Sequence, residues 1–285
     1  MHGDSKAFYT LLEQKVTAWA QAEQAVRAAM VVGSRARVEN PADDWSDLDV
    51  ILFLTTPDTY LNRLDWIETF APVWLSVTQH TVAGDPERLV VFEGGWQTDF
   101  VFQNSQVLQF VSQMIASNNI PDTIRRGVRV LVDKDGCLAQ VPPPSPVAVP
   151  PPPNSEEFNA FFERFWFHAI YASKQLCRGE LILYKSSEEN LRRRLVQLIE
   201  WHARATRGVD TWHAGRFLSQ WADPAVYAAL AQSYTPLEPQ ASLAGLCTLV
   251  ELFSRLTSET AQAWDLSYSA AKTPVLLNYI NLLRK

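Results

Sequence analysis

Two carboxylates are spaced two positions apart where a buried strand is expected to begin. Asp47 and Asp49 lie on either side of Leu48, and the apolar run of residues 50–54 follows directly. Because alternate residues of a strand point to one face, roughly 7 Å apart, both carboxylates should project together while Leu48 turns into the core. Two like charges this close raise each other's pKa unless a cation lies between them. Hard divalent cations prefer oxygen ligands, and magnesium typically takes one or two carboxylates together with substrate phosphates.

A second group of residues that could contact a ligand lies earlier in the chain. The apolar run of residues 30–32 reaches a turn at Gly33 and Ser34. Glycine there lets the backbone approach a ligand closely, and serine can cap a following helix. Exposed backbone N–H groups at such a turn suit a phosphate, and Arg35 could add a bidentate clamp. A lone Gly-Ser is more often an ordinary turn, and a lone Asp-x-Asp a solvated strand end, but their combination with a strand on each side is more specific.

These residues resemble the nucleotidyltransferase superfamily that includes polymerase beta, in which Gly-Ser is followed by Asp-x-Asp at the start of the next strand. The chain is also similar to the streptomycin (aminoglycoside) 6-adenylyltransferases over nearly its whole length. The matching motifs are G-S-R from Gly33, P-x-D from Pro41, an aromatic residue at Trp45, D-x-D-V from Asp47, and F-W-x-x-x-x-Y-x-x-K-Q-L-C-R-G-E at residues 165–180. The resemblance implies an α+β protein, in which a nucleotidyltransferase domain with a mixed β-sheet flanked by helices precedes an all-α helical bundle.

The resemblance also implies a reaction, the Mg²⁺-dependent transfer of AMP from the co-substrate ATP to a hydroxyl group. Two magnesium ions roughly 3.5–4 Å apart can neutralise charge on the transferred group and hold the attacking hydroxyl, and Asp47 and Asp49 would bridge them. The residues expected to contact the nucleotide are Gly33, Ser34, Arg35, Lys174 and Arg192. Lys174 and Arg192 are included because they match family positions. Taken alone, Lys174 is more often a solvated charge on a helix.

Asp99 is a carboxylate inside an aromatic-rich stretch that alternates like a strand. In residues 96–103 the aromatic side chains fall on one face, and Asp99 falls on the other. From position alone, it is as often an aspartate on the wet face of an edge strand. The superfamily places its third carboxylate on a later strand of the same sheet, so the resemblance implies that Asp99 is a catalytic residue. It would complete the second metal site or accept the proton of the acceptor hydroxyl.

The acceptor implied by the resemblance is an aminoglycoside antibiotic similar to streptomycin, and its modification would confer resistance. An aminoglycoside is a polycation, so its pocket should be lined with carboxylates and aromatic side chains. Glu163, Trp166 and Glu180 are the candidates in the C-terminal half. An aromatic side chain at helical spacing is more often part of a core.

The composition is that of a protein with ample apolar residues and an acidic balance. The chain has 285 residues, 47% of them hydrophobic, with a formal net charge of −6. The acidic balance argues against a nucleic-acid partner, which usually requires a basic excess. Three widely spaced cysteines indicate neither a zinc site nor a disulfide framework. No signal peptide or apolar run long enough for a bilayer is visible, so we expect a soluble, cytoplasmic protein without a membrane partner, most simply a monomer.

The hydrophobic periodicity predicts an N-terminal half that mixes helices and strands. Residues 5–29 are predicted to form a helix that packs on the sheet, and residues 56–70 a second helix. Further strands are predicted at residues 74–82, 88–93, 96–103 and 128–132, with another helix at residues 107–116.

A proline-rich segment is predicted to separate two domains. Eight of the seventeen prolines lie at residues 142–153, which excludes a helix and predicts an extended, semi-rigid spacer. The predicted parts are a nucleotidyltransferase domain at 1–140, a linker at 141–154 and a helical substrate-binding domain at 155–285. A less favoured alternative is a proline-rich ligand for a partner's aromatic groove. Helices are predicted from Ser155 and at residues 187–206, 223–233, 241–264 and 272–284. Two such domains are expected to leave a cleft, a common place for a small-molecule site.

Two other functions are compatible with the same residues. One is an adenylyltransferase that acts on another small molecule or on a protein side chain, with the same catalytic residues and a different acceptor pocket. The other is a nucleotide-binding module that has lost catalysis. The presence of Asp47, Asp49 and Asp99 argues against the second.

Overall fold

The chain folds into two units of different architecture, which divide after Val147. The computed structural model describes residues 5–283. The first unit contains a mixed six-stranded sheet with helices, and the second contains helices. The predicted α+β fold class is therefore confirmed. Residues 141–154, the predicted linker, form neither helix nor strand; the predicted domain limits themselves stay a prediction.

The sheet of the first unit contains one parallel pair of strands. Its strands are β1 (Val26–Val32), β2 (Leu48–Leu54), β3 (Val73–His80), β4 (Pro86–Phe92), β5 (Trp96–Asn104) and β6 (Arg129–Asp133). They are arranged in the order β3-β4-β5-β2-β1-β6. β2 and β5 run parallel, whereas the other neighbours are antiparallel. β5 is thus an interior strand, flanked by β4 and β2, and Asp99 does not lie on an edge.

Strand β2 separates two apolar cores, because alternate residues of a strand point to opposite faces. Its residues 48, 50, 52 and 54 are buried in a core shared with the helix α1 (Ser5–Ala22). Phe53 belongs to the core on the other face, together with Leu108 and Ile115 of helix α4 (Leu108–Ala116). Asp49 is four residues before Phe53, so both side chains point to the same face of the sheet. The Asp49 carboxylate therefore lies on the face that α4 covers, at the N-terminal end of β2.

The first helix is shorter than its sequence pattern suggests. The predicted helix at residues 5–29 was wrong beyond Ala22, because residues 26–32 form β1. This strand pairs with both β2 and β6 and is almost entirely buried. A strand buried on both faces has a continuous apolar run rather than an alternating one, so its periodicity does not distinguish it from a buried helix.

The remaining helices of the first unit are short. The predicted helix at residues 56–70 is two helices, α2 (Pro57–Leu61) and α3 (Asp65–Glu68), separated by a turn. Another short helix, α5 (Asp122–Arg125), lies between α4 and β6. Trp66 of α3 packs face to face on Trp19 of α1, with 4.4 Å between ring centroids, so α3 contributes an aromatic side chain to the core that α1 covers.

The second unit is a helical bundle with its own core. Its helices are α6 (Ser155–Cys177), α7 (Leu181–Arg207), α8 (Leu218–Trp221), α9 (Pro224–Gln232), α10 (Pro239–Trp264) and α11 (Thr273–Leu282). Phe165 of α6 and Phe253 of α10 stack with 3.5 Å between ring centroids. Helix α7 begins before its predicted start at residue 187, and α8 was not predicted. Residue 284, the predicted last residue of the final helix, lies outside the described residues.

Helix α6 begins with a reciprocal capping box. The Asn154 side chain accepts a hydrogen bond from the backbone N–H of Glu157, and the Glu157 carboxylate accepts one from the backbone N–H of Asn154. Asn154 is therefore the N-cap, and Ser155 is the first helical residue. Within residues 5–283, none of the helices is both long enough and apolar enough to cross a lipid bilayer.

Candidate active site

The parallel pairing of β2 and β5 brings together the three aspartates singled out in the sequence. Asp49 of β2 is the register partner of Asp99 of β5. Asp47 immediately precedes β2, two residues before Asp49. One carboxylate oxygen from each of the three side chains lies within 4.8 Å of the other two. Three carboxylates that come from two separate stretches of sequence thus converge at one end of the sheet.

Burial and repulsion together perturb Asp99. Asp99 is only partly exposed. Its pKa is raised to about 6, mainly by burial and then by the negative charges of Asp47 and Glu87. Glu87 is the buried carboxylate of β4 that accepts a hydrogen bond from the Gln79 amide. A carboxyl group with a pKa near neutrality can both bind a cation and accept a proton at physiological pH.

Gly33 allows the Asp49 carboxylate to lie directly against the backbone after β1. Gly33 has φ of +69° and opens a short 3₁₀ helix, Gly33–Arg35. A Cβ atom at this position would lie 2.0 Å from Asp49 Oδ2. Only glycine is compatible with both the positive φ and the close approach. The Gly-Ser turn and the Asp-x-Asp pair are therefore in direct steric contact.

The donor set at this end of the sheet fits a hard divalent cation. All three groups are carboxylates, which are the oxygen ligands that magnesium and calcium prefer. Their mutual repulsion, which raises the pKa of Asp99, is relieved when a cation binds between them. Asp47, Asp49 and Asp99 are the residues that would hold such an ion.

Ser34 contributes a buried hydroxyl to a pocket beside the aspartates. Its Oγ atom is inaccessible to solvent and has no hydrogen-bond partner among residues 5–283. The pocket measures about 480 Å³ and is lined by the basic residues Lys6, Arg35, Arg37 and Arg129 as well as by the acidic residues Glu13, Asp43 and Asp44. A buried hydroxyl without a partner is costly unless a ligand or water bonds to it. The predicted contact of Ser34 with a phosphate stays a prediction.

Arg35 orients the entrance of β2. Its guanidinium donates to the backbone carbonyls of Asp47 (Nε–O 2.9 Å) and Ser46 (Nη2–O 2.7 Å). The same group stacks on the ring of Tyr9, 3.6 Å from the ring centroid. Two of its donors thus fix the chain where Asp47 begins the carboxylate pair. The predicted contact of Arg35 with a phosphate stays a prediction.

Two residues that support this end of the sheet were missed from the sequence. Tyr9 donates its hydroxyl hydrogen to the carbonyl of Gln97 at 2.9 Å and so connects α1 to β5. Arg129 of β6 donates to the carbonyl of Arg35 at 2.8 Å. Tyr9 is one aromatic residue among many apolar ones in the predicted first helix, and Arg129 lies inside the predicted strand at residues 128–132, so neither had a local signal of its contact.

In the helical unit, three of the predicted ligand-binding residues line a single pocket. A cavity of about 350 Å³ is bordered by Glu163, Trp166 and Lys174 of α6. Its other lining residues are apolar or aromatic, except for Lys272. Glu163 is paired with Lys272 at 2.7 Å. Trp166 is almost fully buried, and its indole Nε1–H has no acceptor within the described part of the chain.

The other two predicted residues of the helical unit lie elsewhere. Glu180 is exposed immediately before α7 and does not line this pocket. Arg192 is buried in α7, where it pairs with Glu188 at 2.7 Å and donates to the carbonyl of Ser233 at 2.8 Å. Its guanidinium also stacks on Tyr234. Sequence reasoning did not detect this network, because Ser233 lies 41 residues along the chain.

Comparison with known proteins identifies the family. A family model described as streptomycin adenylyltransferase matches residues 10–283. The chain belongs to the streptomycin adenylyltransferase family. It is 23% identical over 259 residues to an aminoglycoside 6-adenylyltransferase of Campylobacter jejuni, covering 88% of this chain and 87% of that one. A Bacillus subtilis (strain 168) protein of the same name is 22% identical over 258 residues, covering 86% and 87%.

A solved structure is also similar over almost its whole length. The crystal structure of an aminoglycoside 6-adenyltransferase from Bacillus subtilis is 15% identical, with a TM-score of 0.47, and covers 96% of this chain and 97% of that chain.

Membership of the streptomycin adenylyltransferase family confirms the predicted class of enzyme, an aminoglycoside 6-adenylyltransferase-like nucleotidyltransferase. Those motifs of the first unit that suggested this family lie at the turn after β1 and at the entrance of β2. The P-x-D segment is tied to the Gly-Ser turn, because the backbone N–H of Ala42 donates to the carbonyl of Ser34 at 2.9 Å. Asp43 in turn accepts a hydrogen bond from the Ser46 hydroxyl, just before β2.

Proposed function

We propose that the protein transfers AMP from ATP to a hydroxyl of an aminoglycoside antibiotic of the streptomycin type, with Mg²⁺ as the metal, and so confers resistance. The convergence of oxygens from Asp47, Asp49 and Asp99 within 4.8 Å is the observation that supports it most strongly. Nucleotidyl transfer needs charge on the transferred phosphorus to be neutralised and a hydroxyl to be held in line. A cluster of three carboxylates beside a glycine-serine turn can do both once a divalent cation is bound.

The three aspartates have two roles in this proposal. Bound Mg²⁺ would supply positive charge to the phosphates and lower the pKa of the acceptor hydroxyl. Asp47 and Asp49 hold the metal. Asp99 completes the metal site or accepts the hydroxyl proton, because a base with a pKa of about 6 is well matched to neutral pH.

The nucleotide phosphates are proposed to bind at the turn after β1. Gly33 offers backbone that a side chain would block, and Ser34 offers a buried hydroxyl without a partner among the residues described. Arg35 fixes the carbonyls at the entrance of β2 and is close enough in sequence to add a contact to phosphate. In the helical unit, Lys174 is exposed and is the proposed phosphate ligand. Arg192 would have to give up its bonds to Ser233 and Glu188 to contact a phosphate, so we assign it a positioning role in α7.

The acceptor is proposed to bind at the pocket of about 350 Å³ in the helical unit. Glu163 can pair with an ammonium group of the antibiotic in exchange for Lys272, and Trp166 forms part of the wall against which a sugar ring would lie. Glu180 is exposed and free of any structural role in the cap of α7, so it remains a proposed additional carboxylate. An exposed pair such as Glu163–Lys272 contributes little stability, so exchanging it for a ligand costs little.

A second candidate function is adenylyl transfer to a less cationic small molecule. The pocket carries Lys174 and Lys272 beside a single carboxylate, Glu163. This excess of positive charge is unusual for a site that selects polycations, and it favours an acceptor with fewer amino groups. The catalytic residues would be unchanged.

The experiment is mass spectrometry of a panel of acceptors incubated with the protein, ATP and Mg²⁺. The panel contains streptomycin, other aminoglycosides and neutral aminocyclitols, and the product should be heavier by one AMP. Asp49→Asn should abolish transfer while retaining the fold by circular dichroism. Asp99→Asn should lower turnover by about 10² to 10⁴ with little change in ATP affinity. Asp58→Asn, at an exposed carboxylate in the first turn of α2, is the matched control and should be fully active.

The outcomes separate the alternatives. Transfer to neutral aminocyclitols but not to aminoglycosides would favour the second candidate. ATP binding without transfer to any acceptor would mean that the protein is a nucleotide-binding module. Near-normal turnover by Asp49→Asn would contradict the metal assignment.

A further inference from the structure

Another pocket of the helical unit is lined by arginines. It measures about 640 Å³ and is bordered by Arg164 of α6, by Arg194 and Arg204 of α7, and by the proline segment of residues 150–153. The carboxylate on its rim belongs to Glu157, which is engaged in the capping box of α6. The pocket is therefore rich in positive charge and poor in groups that could neutralise it. None of its residues belongs to the proposed transfer site.

Two of these arginines have no counterion. Within residues 5–283, neither Arg164 nor Arg194 takes part in an ion pair, whereas Arg192, on the same helix α7, has two carboxylate partners. The Nε–H of Arg194 is buried and lacks a hydrogen-bond acceptor in the described part of the chain. A buried guanidinium donor without an acceptor is costly. The guanidinium of Arg194 lines the pocket and can pair with an oxyanion that enters it.

The electrostatics of the neighbouring groups agree with this geometry. Burial lowers the pKa of Arg194, and the positive charge of Arg164 lowers it further. His168 follows Arg164 by one helical turn, and its pKa is lowered first by burial and then by Arg194 and Arg164. Arg164, His168 and Arg194 thus repel one another across α6 and α7.

The remaining walls define what else the ligand would carry. Prolines have no backbone N–H, so residues 150–153 present ring surface rather than hydrogen-bond donors. Phe161 and Trp201 add aromatic surface, with 4.6 Å between their ring centroids. Donors to an anion therefore come from the arginines and from Gln197, while the proline and aromatic lining suits an apolar or ring-shaped group. Guanidinium forks match phosphate oxygens in a bidentate geometry.

We propose that this pocket binds a small molecule that carries a phosphoryl group, held by Arg164 and Arg194, with an attached ring or apolar part against Phe161 and Trp201. The site lies within the helical unit and does not depend on the transfer reaction. Its volume is in the range of ordinary small-molecule pockets.

The test uses the full-length protein and follows the ring signals of His168 by NMR. The chain has five histidines, so a His168→Gln variant assigns the signal. Inorganic phosphate, pyrophosphate and AMP are titrated separately without Mg²⁺. A bound anion cancels the field of the two arginines, so the pKa of His168 should rise. A ligand bound only at the carboxylates would leave this signal unchanged.

Variants show whether the arginines hold the anion. Arg164→Gln and Arg194→Gln should each weaken binding about tenfold or more, because each removes a charge-assisted contact. Arg193→Gln is the matched control, since Arg193 is exposed on the same helix, does not line the pocket and loses the same charge. Tighter binding of AMP than of phosphate would indicate that the ring of the ligand also contacts the pocket. The proposal is overturned if His168 responds to none of the three probes at millimolar concentration, or if Arg193→Gln weakens binding as much as Arg194→Gln.

Discussion

At the scale of single residues, the position of Asp99 places it in the carboxylate cluster but also disfavours its ionised form. Its position opposite Asp49 in the sheet register brings it to the carboxylate cluster. The same position buries Asp99 in part and brings it near the negative charges of Asp47 and Glu87. Burial first, and then these charges, raise its pKa to about 6. The protein without a bound metal therefore holds a carboxylate that is destabilising when it ionises. Strain of this kind is common where the structure prepares a site for a charged ligand.

Asp99→Asn should stabilise the metal-free protein at alkaline pH. Between pH 3.8 and about 6 the folded state binds more protons at Asp99 than the unfolded state. The free energy of unfolding contributed by this group therefore falls as the pH rises through that window and stays low above it. Asparagine does not ionise, so the variant should be more stable by about 1 kcal/mol at pH 8, after allowance for solvent screening, and by less at pH 5.

Urea unfolding in EDTA measures this difference, with Asp58→Asn, at an exposed carboxylate far from Asp99 in sequence, as the control for the substitution itself. Added Mg²⁺ should stabilise the unmodified protein more than the variant, because it binds the folded state through the same carboxylates. An equal difference between variant and parent at both pH values would contradict the assignment.

Gly33→Ala should disable the site by steric contact rather than by backbone strain alone. The new methyl group would lie 2.0 Å from Asp49 Oδ2, so the carboxylate must move. Gly136 has the same φ of +69° with nothing within 4 Å of a built Cβ. Gly136→Ala should cost about 1 to 2 kcal/mol in unfolding free energy, from the left-handed backbone, and Gly33→Ala should cost more because of the added contact with Asp49. Only Gly33→Ala should also abolish AMP transfer and weaken Mg²⁺ binding. Equal activity of the two variants would show that Asp49 does not need this close approach.

At the scale of elements, local patterns predicted some features, and long-range pairing determined others. The alternation around Leu48 correctly predicted a buried strand with Asp49 on the face opposite Leu48, because that information lies in adjacent residues. Asp47 immediately precedes the strand, and its carboxylate still lies close to that of Asp49. The alternation of residues 96–103 likewise predicted the face of Asp99. The pairing of β5 with β2 did not follow from any local pattern, since two antiparallel strands intervene in the chain.

The errors have physical causes that particular residues illustrate. Ala25 and Ala28 extended the apparent helical pattern of α1, but residues 26–32 pair with strands on both sides. Pairing of this kind overrides the intrinsic preference of alanine for helix. The contacts of Arg192 with Ser233 and Tyr234 had no local signal either, because they depend on how the helices of the bundle pack. The predicted contact of Arg192 with the nucleotide is not among the errors and stays a prediction.

Asn154→Ala should weaken the start of α6. It removes the side-chain acceptor of the Glu157 N–H and leaves one half of the capping box. Loss of an N-cap of this type typically costs about 1 kcal/mol. Chemical denaturation measures the change. Asn190→Ala is the control, because Asn190 is exposed inside α7 and alanine there should be neutral or slightly stabilising. A smaller loss for Asn154→Ala than for Asn190→Ala would contradict the capping role.

At the scale of the whole molecule, the two units have separate cores and are joined by a segment without helix or strand. Each contains enough buried apolar side chains to form a core of its own. The proposed limits, residues 1–140 and 155–285 with a linker at 141–154, assign the proline-rich segment to neither unit.

Limited proteolysis should therefore cut at residues 141–154 before it cuts elsewhere. Backbone that is exposed and outside regular structure is the preferred site of cleavage, and elastase-type proteases can cut at its small residues. Mass spectrometry of the early products should show two fragments that persist, one from each side of the segment. Early cleavage within residues 40–130 instead would contradict the proposed boundaries.

The register between β2 and β5 has a consequence for how the gene can change. Thr98, Phe100 and Phe102 are fully or almost fully buried, and they fix which face of β5 is covered. Deletion of one codon inside β5 would turn all side chains on one side of the deletion to the opposite face of the sheet. Asp99 could then not lie beside Asp49 with the phenylalanines still buried. Many single substitutions in β5 leave that alternation intact. We therefore expect insertions and deletions to be tolerated in loops, such as residues 81–85 between β3 and β4, rather than in β5, and the length of β5 to be a stricter constraint than most of its residues.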